Sequence, residues 1–411
     1  MNETLYRDSW YIIKHAIGAV LPDEAVRRAL CGRRFSGRVI VVSVGKAAWQ
    51  MAKTAQECLG NRIDAGVLVT KYGHVKGEIE RFDSYEGGHP VPDENSFRAT
   101  RAAVELVSGL TEQDTVIFLL SGGGSALFEL PLISAAELQD VTGQLLSSGA
   151  DIVEMNTIRK RLSAVKGGRF ARICAPAQVF SVVLSDVLGD PLDMIASGPA
   201  SLDRSTGAQA QAVAKKYRLT LSKRAWAQLE QELPDALDNV ETMVTGSVRE
   251  LCMAAAQACR ELGYQPVTLT DRLCCQAREA GSFLASIARS HADGAQSKAF
   301  IAGGETVVRL TGKGKGGRNQ ELALAAAPGI AGLENVAVFS VGSDGTDGPT
   351  DAAGGIVNGE TCGKLKRNGI SVDEVLQNND SYAALSAVGG LVVTGPTGTN
   401  VNDLAAVLIR R

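Results

Sequence analysis

Short β-branched and aliphatic runs alternate along this chain with longer stretches whose apolar positions recur at helical spacing, the pattern expected of βαβ units around a mainly parallel sheet. The run 38–44 (RVIVVSV) is the clearest strand. It passes through Gly45 and Lys46 into 47–59, where Ala48, Met51, Ala52, Ala55 and Leu59 mark one helix face and Gly60 supplies a stop. Further strands are expected at 66–70, 115–120 and 179–184, separated by helices over 95–107 and 134–146, the second opened by a capping box of Ser134 and Glu137. After the polar stretch 232–239, which contains Pro234, the pattern restarts with a strand at 242–245, a helix over 248–262 and a strand at 266–270. Strands near 299–301, 306–310, 336–341 and 391–394 follow. The expected architecture is α/β in two domains, with a Rossmann-like doubly wound sheet over 1–238 and a second α/β domain over 239–411.

Length agrees, since 411 residues exceed one ordinary core. Lys and Arg number 42 against 45 Asp and Glu, a formal charge of −3, so no global field draws the chain to nucleic acid or to an anionic membrane. The longest apolar runs are too short to span a bilayer. The first residues mix charges and lack an apolar stretch, which argues against a secretory signal. The eight cysteines make no CxxC pair or zinc spacing, so reduced thiols and a cytoplasmic location are expected.

Many of the 45 glycines fall where strands end, the place where open α/β sheets bind ligands. Ser121, Gly122, Gly123, Gly124 and Ser125 follow the run TVIFLL. They read either as a phosphate cradle of backbone N–H groups or as a tight turn needing positive φ. No Gly-Lys is followed by Ser or Thr, which excludes a Walker loop. In 185–191, Asp186 and Asp190 suit a magnesium ion held by one or two carboxylates together with substrate phosphates, or else they cap Asx-turns. Arg159, Lys160, Arg161, Lys166 and Arg169 form either an anion clamp or a solvated helix face. Gly312, Gly314 and Gly317 satisfy G-x-G-x-x-G between an expected strand and a helix, the dinucleotide fingerprint. Lys313, Lys315 and Arg318 crowd that loop with positive charge, which fits a loop over ATP phosphates better, with Arg318 at a helix N-terminus. Asp344, Asp347 and Asp351 line a further loop that is no EF-hand, because position twelve from Asp344 is Gly355. His89, in Gly-Gly-His-Pro, is an acid–base candidate or a turn residue.

Taken together, VGKA, GGHPVPDENS, LLSGGGSALFELP, MNTIRKRLSAVKGGRFA, LSDVLGDPLDMIASGP, AGGETVVRLTGKGKGGRNQELAL, VGSDGTDGPTDAAGG and TGPTGTNVNDL resemble the class of glycerate kinases with a C-terminal MOFRL domain, in order from about residue 40 to the end. The resemblance implies a magnesium- and ATP-dependent transferase that phosphorylates D-glycerate, usually at its 2-hydroxyl, with the active site in a cleft between a Rossmann-like and a MOFRL-type domain. It also implies a naming hazard, since relatives in tartrate-utilisation operons carry the label hydroxypyruvate reductase. Carried over by residue, Lys46 and Arg318 become the charged groups at the transferring phosphoryl, with the loop 121–125, Lys313 and Lys315 near the phosphates. Asp190 is the candidate metal ligand or base, with Asp186 as second metal ligand. His89, Arg159, Lys166 and Asp344 are the candidate substrate contacts. The rival readings are an NAD(P)H-dependent hydroxypyruvate reductase, from the fingerprint at 312–317, and a sugar-phosphate-binding regulator without catalysis.

Overall fold

A computed structural model describes residues 3–411. The chain forms two compact units, Ala25–Thr245 and a second made from Met1–Glu24 together with Gly246–Arg411.

The first unit is built on a six-stranded sheet in the order β3-β2-β1-β4-β5-β6, where β1 is Val39–Val44, β2 Ala65–Lys71, β3 Phe82–Gly87, β4 Thr115–Leu120, β5 Gln178–Leu184 and β6 Val240–Gly246. The pairs β1–β2, β2–β3, β1–β4 and β4–β5 are parallel. Strands β1 and β4 are buried at every position, as central parallel strands covered on both faces must be, which is why they read as unbroken apolar runs. Alternate side chains serve opposite faces. Ile40, Val42, Val44, Val116 and Phe118 pack with Ala99 and Ala103 of the helix Glu94–Val107, whereas Val39, Val41, Ile117 and Leu119 pack with Met51 and Ala55 of the helix Ala48–Leu59. The Ser134 side chain caps the helix Ala135–Ser148 by accepting from the N–H of Glu137, but the reciprocal half of the expected capping box does not form, because the Glu137 carboxylate accepts from the N–H of Ser222 instead.

The second unit holds β7 Gln265–Leu273, β8 Lys298–Gly304, β9 Val336–Gly342, β10 Gly354–Asn358, β11 Leu391–Val392 and β12 Asp403–Ile409, in the order β11-β10-β9-β12-β8-β7. Only β7–β8 is parallel; β10 runs antiparallel to β9 and β11, and β12 antiparallel to both β8 and β9. The expectation of mainly parallel pairing therefore fails here, for a topological reason. The link from β9 to β10 carries no crossover helix, and antiparallel neighbours need none. Along β12, Leu404, Ala406 and Leu408 face the helices Glu3–Ala19 and Val248–Glu261, while Ala405, Val407 and Ile409 face Ala277–His291 and Arg318–Ala326.

Three further expectations change. The divide at 238/239 cuts off β6, which is the sixth strand of the first sheet and hydrogen-bonds β5 from just before its start, Val179 N–H donating to Asn239 O at 2.7 Å. The N-terminal helix Glu3–Ala19 belongs to the second unit, where the buried Asp8 accepts from Tyr264 Oη at 2.7 Å and from Arg410 at 2.6 Å. The run 306–310 is no strand. Its residues touch the sheet region through one bridge, Val307 to Gln276, and Leu310 is 80% exposed. Both edges of β8 are already paired, with β7 and β12, so β propensity alone finds no partner there.

Candidate active site

In the first unit the chain runs β1, β2, β3 outward on one side and then returns to β4 and β5 on the other. The boundary between β1 and β4 is thus the topological switch point, where the carboxyl ends of the strands open a crevice. Lys46 follows β1 and the glycine loop follows β4. The two are stitched together: Lys46 N–H donates to Gly122 O at 2.9 Å, Ala47 N–H to Ser121 Oγ at 3.1 Å, and Ser121 N–H to Val44 O at 2.9 Å. Gly45 has φ of +117°, and a Cβ there would run into Ser121. Ser121 is consequently a buried structural group, its hydroxyl spent on Val44 O and the Ala47 amide.

Gly122 and Gly123 face three of the candidate side chains. A Cβ on Gly122 would collide with the carboxylate of Asp186, which follows β5, and one on Gly123, at φ +86°, would lie 3.1 Å from His89 Cδ2 and 3.2 Å from Lys46 Cγ. The loops after β1, β3, β4 and β5 therefore meet at these two glycines. Lys46 is exposed and, among the described residues, has no carboxylate partner. His89 is half-buried. Burial, and then the positive charges of Lys46 and Lys71, lower its pKa below the usual imidazole value, so it is neutral at pH 7. Asp190 sits at φ +52°, and one of its carboxylate oxygens is buried without a hydrogen-bond partner. Ala196 and Ser197 are also held at positive φ, at 50° and 62°. That strained turn carries Ser197 Oγ to within 3.2 Å of Ser125 Oγ and lets it donate to Asn156 Oδ1 at 2.9 Å.

The cationic cluster is neither a solvated face nor an open clamp. Lys160 is buried between Asp193 at 3.1 Å and Asp203 at 3.5 Å; Arg161 is buried on Ser205 and Glu232; Arg169 caps the carbonyls of Arg161 and Ser163. Lys166 is wholly buried against Glu129 and donates to Ser125 O at 2.8 Å and Phe128 O at 3.4 Å. Burial pushes its ammonium down to about 8, with Glu129 opposing and Arg159 adding to the shift. Arg159 and Arg169 are both half-buried with no carboxylate partner among the described residues, but Arg169 is spent on backbone carbonyls, which leaves Arg159 as the candidate clamp. Asn156, Ser197, Glu129, Asp193 and Asp203 were not foreseen as site-building residues. All but Asp203 stand inside the motifs that carry the family resemblance, but nothing in the local pattern tells which distant cation or hydroxyl each would meet.

In the second unit Arg318 is fully engaged. Its Nε and Nη2 donate to the two oxygens of Asp403 at 2.6 and 3.0 Å, and Nη1 lies 3.1 Å from Glu305. Against the pull of burial, these carboxylates hold its pKa above the usual guanidinium value. The N-terminus of its helix is already capped, since Asp347 accepts from the amides of Asn319 at 3.1 Å and Gln320 at 2.9 Å. Burial pushes the Asp347 carboxyl up to about 6, although these amides oppose the shift. That amide pair is therefore spent on the protein's own carboxylate and not left open for a phosphate. The dinucleotide fingerprint is likewise explained by packing: Cβ atoms on Gly312 and Gly314 would strike Asn378 and Asp380, and one on Gly317 would strike Asp347. The strand its context requires is absent. Lys313 and Lys315 are exposed, with Lys315 Nζ 4.5 Å from the centre of the Tyr382 ring; Asp344 closes an Asx-turn on the amide of Thr346 at 2.9 Å.

Comparison with known proteins adds the family context. Residues 9–230 match a family model described as a domain of unknown function, DUF4147, and residues 298–403 match the MOFRL family. A D-glycerate 2-kinase of Thermotoga maritima is 54% identical over 99% of both chains. The crystal structure of glycerate kinase from Thermotoga maritima superimposes with a TM-score of 0.96 at 53% identity, covering 99% of this chain and 100% of that one. A protein of Agrobacterium vitis that bears the name hydroxypyruvate reductase is 39% identical, over 97% of this chain and 93% of its own.

Proposed function

The chain belongs to the glycerate kinase family that joins a DUF4147 domain to a MOFRL domain, and from that premise we propose that it transfers the γ-phosphoryl group of ATP to the 2-hydroxyl of D-glycerate. The observation that carries the reading is the exposed Lys46 at the switch point, without a carboxylate partner among the described residues, set against Gly123 and His89. Phosphoryl transfer asks the protein for positioning and for positive charge around three equatorial oxygens, and Lys46 beside Gly122 and Gly123 offers both.

His89, neutral at pH 7, accepts a hydrogen bond from a glycerate hydroxyl and orients it; Arg159 is the clamp for the glycerate carboxylate. Lys166 leaves the substrate set, because its ammonium is spent on Glu129 and on the carbonyls of the glycine loop, and becomes the group that holds the loop. Asp186 and Asp190 suit a magnesium ion, whose usual protein share is one or two carboxylates, and the orphaned oxygen of Asp190 is the observation that fits it. When bound, the ion neutralises charge on the ATP phosphates. Arg318, pre-oriented by Asp403 and Glu305, is proposed as a phosphate-contacting cation of the second unit.

The test is an assay of the purified protein with D-glycerate, ATP and magnesium, read as ADP release and as 2-phosphoglycerate by coupling to enolase. Turnover is expected there and none with hydroxypyruvate and NADH. The opposite pattern would overturn the assignment.

A further inference from the structure

The serine that closes the glycine loop is held from both ends. The Ser125 carbonyl accepts from the buried Lys166 ammonium at 2.8 Å, and the Ser125 hydroxyl lies 3.2 Å from Ser197 Oγ. Ser197 reaches it from the turn in which Ala196 and Ser197 both take positive φ. Gly124 makes that approach possible, since a Cβ there would stand 2.7 Å from Ala196 Cβ. The amides of Gly167 and Gly168 fasten the turn by donating to Ser197 O at 3.0 Å and Gly198 O at 2.7 Å. Ser197 and Asn156 are buried, at 0% and 3% exposure, so neither meets a ligand, whereas Ser125 is half-buried.

Counting protons fixes which way these hydroxyls point. The Asn156 amide rests against Met194 Sδ at 3.7 Å, and a thioether only accepts, so the amide nitrogen takes that side and Oδ1 faces Ser197 Oγ at 2.9 Å. An amide oxygen only accepts as well, so the single proton of Ser197 goes to Asn156. Ser125 then donates its own proton to Ser197, and its Oγ is left with lone pairs alone. Phosphate and carboxylate oxygens are themselves acceptors and do not pair with such a group. The hydroxyls of D-glycerate do, and His89 takes one of the two. We propose that Ser125 Oγ accepts from the other glycerate hydroxyl, and that Ser197 and Asn156 are the positioning residues that hold it in the accepting state. The inference rests on the kinase reading for its ligand and adds to it a specificity contact, one acceptor for each hydroxyl of the three-carbon acid.

The test is the affinity for D-glycerate, read by calorimetry on the purified full chain and as KM, beside the KM for ATP and the magnesium requirement. Ser125→Ala removes one hydrogen bond to the substrate and is expected to weaken D-glycerate about tenfold, with the KM for ATP and the half-saturating magnesium within about twofold of the parent. Ser197→Gly, which suits the positive φ, and Asn156→Leu should each do the same, and neither should weaken D-glycerate further when combined with Ser125→Ala. Asn156→Asp checks the direction of the chain. An ionised carboxylate accepts from Ser197 as the amide oxygen does, so affinity for D-glycerate should be retained in that variant. An Asn156→Asp variant as weak as Asn156→Leu overturns the inference, because the amide nitrogen would then be the group facing Ser197. So do unchanged affinity in Ser125→Ala, additive losses in the double variants, or a shifted magnesium requirement in place of a shifted glycerate affinity. Ser125→Ala, at a half-buried position, decides the matter if either buried partner variant proves unstable. Calorimetry reads binding without turnover, so absence of ADP release from the parent protein is the separate failure of the kinase reading.

Discussion

Two glycine-rich, cation-flanked loops look interchangeable in the sequence and turn out to be opposites. At 121–125 the glycines follow a buried parallel strand, and the missing side chains at Gly122 and Gly123 let the side chains of Asp186, His89 and Lys46 come close to the loop. At 312–317 the missing side chains are replaced by the protein's own backbone at Asn378 and Asp380 and by Asp347. Charge follows the same division. Lys46 is exposed and unpaired among the described residues, whereas Arg318 is held by Asp403 and Glu305. A glycine loop thus admits either candidate side chains or the backbone of its own fold, and what decides is which segment of the chain reaches it.

The sharpest way to break this contrast is Lys46→Ala. Loss of one charge aimed at the transferring group is expected to lower kcat about 10²–10³-fold, and because the side chain is exposed the melting temperature should hold; unchanged turnover removes Lys46 from the chemistry. Arg318→Met is expected to cost stability as well as turnover. It leaves Asp403 buried and unpaired, a loss of about 2–4 kcal/mol for a partly exposed partner, and Arg318→Met with Asp403→Leu should recover much of the melting temperature but not the activity. If the single variant melts like the parent, the pairing is not the structural element described here. The glycines separate next. Gly312→Ala should lose about 1–3 kcal/mol of stability through collision with Asn378, read by denaturant midpoint, while kcat per folded molecule is retained. Gly123→Ala should do the reverse, with activity falling more than stability, because its new methyl meets His89 and Lys46.

The smallest effect concerns pH. Asp347 has a folded-state pKa of about 6, raised above its unfolded value near 3.8. A raised carboxyl favours the folded state fully only below the unfolded pKa, and that contribution is lost as pH rises through about 6. The stability of Asp347→Asn relative to the parent should therefore improve between pH 4 and pH 7, measured by chemical denaturation at each pH. A constant difference would mean that Asp347 is charged throughout.

Legibility followed the physics of each element. Strands β1, β4, β5 and β9 were readable because strands buried on both faces must be apolar throughout. β3 escaped because FDSYEG is an edge strand with exposed polar positions, and β10 because it opens on two glycines. β12 was missed although all seven of its residues are buried; nothing local reveals that the chain's last apolar run slots between β8 and β9. Within the site, the glycine loop, Lys46 and His89 were visible as motifs. The fate of the cationic cluster was not, since the partners of Lys160, Arg161 and Lys166 lie 33, 71 and 37 residues away.

By itself the order of residues determined the α/β class, the strand-end position of Lys46 and of the loop 121–125, and the absence of a Walker loop, because each depends on periodicity or on neighbours only a few residues apart. The tertiary structure decided which cations are neutralised, which glycines lie against Lys46, His89 and Asp186, and to which unit the first helix belongs. Those outcomes depend on contacts between segments far apart in the chain, and the energy of burying a charge is set by the partner it meets there.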